Sequence, residues 1–163
     1  MKAVKRFVIL GAVAAVLLAM FGVSMMLATS GKAEGDNDDP RRKFTDRSIK
    51  GTWGFSSGIG YLVPPAVPEA LPAVGLGIVT FDGTGGCTVS NTVNLNGETF
   101  GPFSSDSCTY SVNPDGTGTS VAEFSEGPVP GTAPVSFVIV DHGKKIWFIR
   151  TDSVVASFAA EKQ

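Results

Sequence analysis

The sequence predicts an all-β fold, a single antiparallel β-barrel of about eight strands over residues 49–163. Three observations carry this prediction. The chain of 163 residues holds 20 Gly and 10 Pro, and these residues separate short apolar runs as turns separate strands. Beyond the N-terminal region, apolar residues recur with a period of two rather than with a helical period. About eight such runs follow one another at hairpin spacing, which is typical of a barrel or a sandwich.

Residues 1–30 predict a leader. Lys2, Lys5 and Arg6 precede an apolar run from Phe7 to Ala28, and this order is typical of a secretory signal peptide. The run is also long enough to cross a bilayer, so an N-terminal membrane anchor is the alternative. If the leader stayed in the membrane, the basic residues that follow it and those that precede it would both favour the cytoplasmic side. Cleavage removes this conflict and is therefore favoured. We therefore expect an exported protein, periplasmic or extracellular, that contacts a membrane only through a retained leader.

Residues 31–48 predict a polar, disordered linker because they lack apolar periodicity. Asp36 and Asp38 lie in this segment without the Gly and distal Glu of a calcium-binding loop, so no metal is expected there. The end of the linker stays open. The segment from Phe44 to Lys50 fits either the linker or the start of the first strand.

The first three predicted strands cover residues 52–61, 73–81 and 87–95. In the first, the apolar residues share one parity, as a half-buried strand requires. In the second, Gly75 and Gly77 suit a bend or a close backbone approach. A Gly-rich turn over residues 82–86 precedes the third, and Asn96-Gly97 after it is typical of a hairpin.

The remaining strands are predicted at 107–112, 117–124, 135–140, 145–151 and 154–160. The strands predicted at 107–112 and 117–124 are joined by Asn-Pro-Asp-Gly at 113–116. This sequence is typical of a turn, in which Pro sets φ and Gly permits a positive φ. Residues 141–143 form another turn around His142. As this is the only histidine, a Ser-His-Asp or Cys-His centre would have to use it. We expect a turn role for His142 and assign no catalytic residue.

Cys87 and Cys108 are the only cysteines, and both fall on the apolar parity of neighbouring runs. In an exported domain this pattern predicts a disulfide. A metal or redox role has no support, because the chain lacks a C-x-x-C motif and a cluster of ligand residues. We expect no cofactor.

The charge distribution argues against a nucleic-acid partner. The net charge is −2, and residues 1–30 hold three positive charges and no negative ones, so the remainder carries −5. No Lys or Arg lies between Gly51 and Gly143, a stretch that holds eight acidic residues. Such a surface repels phosphate backbones.

Three residues are candidates for ligand binding. Asn91 shares the parity of Val89 and Val93, so it is either a polar group inside a barrel lumen or is turned outward by a bulge. Tyr110 is a second candidate polar group of the lumen, and Trp53 on the apolar parity of the first strand is the third. The Pro-rich segment at 64–72 either covers a barrel mouth, docks a partner or forms a stiff surface loop.

Four segments carry a family resemblance. In order, residues 77–83, 108–119, 137–143 and 146–152 resemble those of small exported bacterial proteins with an allene oxide cyclase-like, lipocalin-like β-barrel. The resemblance covers roughly residues 49–163. It implies the fold rather than a reaction, because the matched segments are turns and core strands.

The expected function is that of a non-catalytic barrel that binds a small apolar molecule or an envelope partner, since an eight-stranded barrel can hold one small ligand. The alternative is a cyclase or isomerase that uses lumen groups such as Asn91 or Tyr110, which only the fold resemblance implies. An outer-membrane barrel is the third hypothesis. It fits least, because residues 135–140 are apolar on both faces and lack the alternation of such strands. The oligomeric state does not follow from the sequence.

Overall fold

The computed structural model describes residues 43–163 and arranges them as one curled, half-barrel sheet of antiparallel strands. It contains no α-helix within this range, only two short 3₁₀ turns, Asp46–Ile49 and Asp141–Gly143. None of the helices in the described part of the chain is long and apolar enough to span a membrane. Eleven strands make up the sheet: β1 Gly51–Ser57, β2 Gly60–Leu62, β3 Leu71–Phe81, β4 Cys87–Leu95, β5 Glu98–Ser104, β6 Ser107–Val112, β7 Thr117–Phe124, β8 Gly131–Val140, β9 Lys145–Arg150, β10 Val154–Val155 and β11 Ser157–Lys162.

The predicted all-β, antiparallel architecture is confirmed. Continuous ladders join eight strands in the order β4-β3-β1-β11-β9-β8-β7-β6. The short strands β2 and β10 extend one edge. Side chains alternate between a buried and an exposed face along most strands, for example on β7. This alternation is the period of two from which the strands were predicted.

The strand count differs from the prediction at three places. The first predicted run is interrupted after Ser57, and the last is interrupted at Ala156. β5 has no counterpart among the predicted runs, and it pairs with the C-terminal part of β4 through the hairpin at Asn96-Gly97. Its apolar residues, Phe100 and Phe103, do not share a parity, so alternation alone does not reveal it.

β3 and β4 approach each other closely at Gly77. A Cβ at this position would overlap the carbonyl oxygen of Ser90 and the ring of Phe55. Any residue larger than glycine would push the two strands apart. The predicted close backbone approach is confirmed here.

A seam lies between β4 and β6. One isolated antiparallel bridge joins Gly86 to Thr109, and the Tyr110 N–H donates to the Gly85 carbonyl at 2.9 Å. Beside this bridge, Cys87 and Cys108 form a disulfide with their Cα atoms 4.8 Å apart. The predicted disulfide is confirmed, and it ties the two ends of the eight-strand path together.

The N-terminal 3₁₀ turn caps one end of the curled sheet. Ile49 is fully buried, and Asp46 accepts a hydrogen bond at its Oδ1 from the Val112 N–H at 2.8 Å. The segment from Phe44 to Lys50 is therefore neither linker nor strand. The described domain begins before residue 49, while the predicted leader and the linker up to residue 42 lie outside the described residues.

The main apolar core lies beside this cap. Its largest fully buried side chains are Trp53, Phe81, Ile49 and Ile146. The buried residues of six strands, β1, β3, β6, β8, β9 and β11, form one cluster with Ile49. This end of the sheet is therefore filled.

His142 lies in the turn between β8 and β9, as predicted. Asp141 and His142 have φ values of 51° and 56°, and Gly143 has 87°. This succession of left-handed residues reverses the chain tightly enough for Val140 to pair with Lys145. The His142 side chain is more than half exposed, and its Nδ1 lies 3.9 Å from Asp141 Oδ1.

Candidate functional site

A cavity lies inside the curled sheet, beyond the filled core. Its position follows from the strand period. On β1 the inward residues after the core residue Trp53 are Phe55 and Ser57, and on β9 those after Ile146 are Phe148 and Arg150. Phe55 and Ser57 of β1 and Phe148 and Arg150 of β9 all line the cavity. The cavity therefore lies further along these strands than the core residues Trp53 and Ile146.

Small inward side chains create this space. Ser120 and Ala122 on β7 and Ala133 on β8 line the cavity, and Ala122 lies directly opposite Ala133 in the ladder. β3 contributes Gly75 to the wall of the same cavity. With large residues at these positions, the layer would pack as tightly as the core below it.

The cavity has two compartments, which are called deep and outer here only by their distance from the filled core. The deep one has a volume of about 100 Å³ and is bounded mainly by aromatic and aliphatic side chains. The outer one, of about 140 Å³, adds the Pro128–Pro130 loop, Glu126 and Asp152. Both compartments are bounded by the same five residues where they adjoin: Asn91, Phe124, Ala133, Arg150 and Phe158. The predicted Pro-rich segment contributes Ala66 to the outer compartment.

Asn91 lies at the junction of the two compartments. β4 and β5 are irregularly paired between Asn91 and Val93, so the bulge considered from the sequence is present. It does not turn Asn91 outward, since this residue lines both compartments. Its Oδ1 is buried and has no hydrogen-bond partner among the described residues. A buried acceptor left without a partner costs about 1–3 kcal/mol.

Arg150 and Asp152 form an ion pair beside the same junction. The guanidinium donates through Nε to Asp152 Oδ1 at 3.0 Å and through Nη2 to Asp152 Oδ2, a two-bond arrangement that fixes its plane. Burial acts to raise the pKa of Asp152, but the hydrogen bond and charge of Arg150 outweigh it and hold that pKa below its usual value. Asp152 is therefore charged at neutral pH, and its negative charge offsets the positive charge of the guanidinium.

The other two candidate residues belong to the filled core. The Trp53 indole is fully buried and donates to the Ile49 carbonyl at 2.7 Å. The Tyr110 hydroxyl accepts from the Gly83 N–H at 2.9 Å and donates to the Asp46 carbonyl at 3.0 Å. Burial raises the pKa of Tyr110. The structure thus places Asn91 in the cavity and joins Tyr110 and Trp53 to the N-terminal cap.

Sequence reasoning missed Arg150. The pattern that would have revealed it is present, because Arg150 shares the inward parity of Ile146 and Phe148 on a strand whose other inward residues are apolar. A charged residue on such a face has to be paired or solvated. Its partner Asp152 lies only two residues further along the chain.

No group of three His, Cys, Asp or Glu side chains is placed to hold a metal ion within residues 43–163. The chain matches no family model, no curated protein and no solved structure. The resemblance to exported proteins with an allene oxide cyclase-like, lipocalin-like barrel therefore stays a prediction.

Proposed function

We propose that this protein is an exported, non-catalytic binding protein that holds one small, mainly apolar molecule in the cavity. We propose further that its eight-strand path acts as a lipocalin-like barrel, with the disulfide between Cys87 and Cys108 closing the seam between β4 and β6. The single observation that carries the proposal is an apolar, partly enclosed cavity inside the curled sheet, next to the filled core.

The size of the cavity sets the size of the ligand. An apolar cavity of about 150 Å³ takes up a molecule such as benzene. The deep compartment of about 100 Å³ and the outer compartment of about 140 Å³ adjoin. Together they suit a ligand with one aromatic ring or a short hydrocarbon chain.

The polar side chains of the deep compartment favour binding over catalysis. They are Asn91, Ser120 and Arg150. A cyclase or isomerase needs a general acid or base whose pKa lies near the working pH. An amide does not titrate, and a guanidinium is too weak an acid to serve as a proton donor near neutral pH, which favours a role in recognition.

The disulfide also supports the proposed location. Disulfides persist in the periplasm and outside the cell and are rare in the cytosol. The bond between Cys87 and Cys108 is consistent with an exported protein.

Toluene is a suitable probe for the proposed function. We expect toluene to bind the purified protein and to raise its melting temperature with concentration, because a ligand that binds only the folded state stabilises it by mass action. Calorimetric titration measures the affinity directly. Mass spectrometry of an organic extract of the protein from its native envelope would then identify the natural ligand.

The Ala133→Phe variant fills the junction of the two compartments and should abolish toluene binding. Ala159→Phe is the matched control, because Ala159 lies on the exposed face of β11 and the same substitution there leaves the cavity empty. Should Ala133→Phe fold poorly, Ala133→Leu makes a smaller change at the same site. Toluene binding by a folded Ala133→Phe protein as tight as by the wild type would refute the proposal, as would a wild type that does not bind toluene.

A further inference from the structure

We infer that this protein forms a reversible, two-fold symmetric dimer, in which the outer face of the sheet packs against the same face of a second copy. The outer face is the side of the sheet that points away from the core and the cavity. The inference goes beyond the proposed function and does not depend on what the cavity binds.

The outer face carries most of the exposed apolar surface in the described part of the chain. Among residues 43–163, eleven large apolar side chains are exposed, and nine of them point outward from strands of the sheet. Five lie on β3 and β9, namely Val74, Leu76, Ile78, Trp147 and Ile149. Soluble monomers rarely expose a contiguous apolar patch of more than a few hundred Å², and larger patches mark interaction sites.

The strand sequences distinguish this part of the sheet from the rest. An antiparallel strand with one face in water alternates apolar and polar residues, whereas a strand covered on both faces is apolar throughout. β3 has no polar side chain over residues 71–79, and β9 has none over residues 146–149. β6, by contrast, points Ser107, Thr109 and Ser111 outward. The sequences of β3 and β9 therefore fit strands that are covered on both sides.

A shallow valley lies on the outer face between β3 and β9. One row of directly paired residues crosses it, in the order Leu76, Ser56, Ala159, Trp147 and Val138. Leu76 and Trp147 are 62% and 58% exposed, while the two residues between them are small. At a strand spacing of about 4.8 Å, the backbones of β3 and β9 are about 14 Å apart, which leaves room in the valley for one large side chain.

This relief is complementary to itself. In an isologous dimer both copies use the same patch, so each contact occurs twice. A two-fold axis along the strands near β11 places Trp147 of each copy over Ser56 and Ala159 of the other, and Leu76 of each copy beside Val138 of the other. Because the sheet curls away on both sides, the contact centres on this row. A tryptophan at the centre of a contact is typical of the residues that dominate binding energy.

The charges on this face favour a second copy over a bilayer. β1, β3 and β8 contain no charged residue, and the outward charges of β9 and β11, Lys145 and Glu161, pair with each other at 3.1 Å. Residues 31–163 carry a net charge of −5, so two copies approach best through a face without net charge. An apolar face that binds a bilayer carries Lys and Arg beside it, whereas Lys145 is already paired.

The size of the face sets the expected affinity. Five strands, from β3 to β8, and about seven residues along β3 give a face of roughly 20 Å by 20 Å. A standard stable interface buries about 800 Å² on each partner, and a patch of this size reaches only the lower end of specific interfaces. We therefore expect a dimer with a dissociation constant in the micromolar range.

Sedimentation equilibrium of the protein purified after export tests the inference. The mass should double between roughly 1 µM and 1 mM. Tryptophan fluorescence shows which face is covered, because the chain has two tryptophans, of which Trp53 is fully buried and Trp147 is exposed. Quenching by acrylamide should therefore fall over the same concentration range in which the mass doubles.

Two variants locate the contact. Trp147→Thr removes the side chain that enters the valley, and Ala159→Glu places a carboxylate on the valley floor. Each should weaken the dimer by roughly 10-fold or more. Both residues are exposed, and an unchanged melting temperature of the dilute variants verifies that they fold. Ile59→Thr is the matched control, because it removes a 77% exposed apolar side chain in the turn between β1 and β2 and should leave the dimer unchanged.

Four results would overturn the inference. The first is a protein that stays monomeric up to 1 mM, and the second is a dimer that neither Trp147→Thr nor Ala159→Glu weakens. The third is a monomer whose Trp147 is already protected from acrylamide, which would mean that its own chain covers the face. The fourth is a monomer whose Trp147 becomes protected only when phosphatidylcholine vesicles are added, which would identify a bilayer as the occupant. None of these results affects toluene binding, so the proposed function is tested separately.

Discussion

Replacing Cys87 and Cys108 together by alanine removes the only covalent link across the seam between β4 and β6. Alanine is preferred to serine because Cys108 is buried, at 7% exposure, and a hydroxyl there would add a polar group to the core. The only β-bridge between these two strands is that of Gly86 with Thr109, beside the hydrogen bond from the Tyr110 N–H to the Gly85 carbonyl. The neighbouring ladders that complete the eight-strand path each pair five or more residues, so we expect the seam to open first.

The separation of the two cysteines along the chain sets the size of the expected loss of stability. They are 21 residues apart, and cross-linking a loop of this length lowers the entropy of the unfolded chain enough to stabilise the fold by about 3 kcal/mol at 25 °C. For a domain of roughly 120 residues this corresponds to a melting temperature lower by about 10 °C. Loss of the sulfur atoms of the buried Cys108 and the partly buried Cys87 adds to the effect.

Two measurements check this prediction. Calorimetry compares the melting temperatures of the wild type and the double variant, and amide hydrogen exchange compares their local protection. The Tyr110 N–H, which donates across the seam to Gly85, should lose more protection than the Ile146 N–H, which lies in the middle of the sheet. Reductant should lower the melting temperature of the wild type and leave that of the variant unchanged.

Equal melting temperatures would refute this reasoning, because they would mean that the disulfide does not restrict the unfolded chain. A uniform loss of protection, the same at Tyr110 and at Ile146, would contradict only the prediction that the seam between β4 and β6 opens first. The seam would then unfold together with the rest of the sheet.

Three further predictions concern the core and the ion pair. Tyr110→Phe leaves a buried N–H and a carbonyl without their shared partner, so unfolding in urea should show a loss of about 2 kcal/mol. Gly118→Ala places a methyl group against the ring of Phe137, and the overpacking should cost about 1–3 kcal/mol in the same assay. Asp152→Asn should lower the melting temperature at pH 7. Because Arg150 holds the Asp152 pKa below its unfolded-state value, this stabilisation is present above pH of about 4 and is lost as the pH falls through the folded-state pKa. The two melting curves should therefore converge in acid.

Each of these has its control. Tyr61 lies on an exposed face, and Tyr61→Phe should leave the stability unchanged. Gly58→Ala adds a methyl group where nothing lies within 4 Å, so a loss equal to that of Gly118→Ala would disprove the overpacking argument. For Asp152→Asn, the control is the difference in melting temperature from the wild type at low pH. If this difference is as large in acid as at pH 7, the charge on Asp152 is not its cause.

Much of the fold follows from local patterns. The alternation of residues such as Cys108, Tyr110 and Val112 reports which face of a strand is buried, because the strand period is two in any sheet. Turn residues such as those at 141–143 act through their own φ preferences. The disulfide needed only two cysteines on matching faces. These features depend on neighbours in the chain, and the sequence displays them.

The candidate site follows from local patterns only in part. Asn91 was identified from its parity, but its orientation stayed open, because a bulge and an inward side chain are both compatible with the same residues and here occur together. Arg150 was missed, although its parity is visible. Tyr110 was predicted to be a polar group of the lumen, whereas its hydroxyl donates to the Asp46 carbonyl of the N-terminal cap, 64 residues away in sequence.

The sequence by itself determined that this chain forms antiparallel strands, where most of them turn, and which two cysteines pair. Only the tertiary structure decided that the N-terminal turn fills one end of the sheet, that Ala122 and Ala133 meet across a ladder to leave a cavity, and that Asn91 faces it. The physical reason is that strand faces are set by near neighbours, whereas a cavity is the volume left over when side chains from many strands, distant in sequence, are packed together.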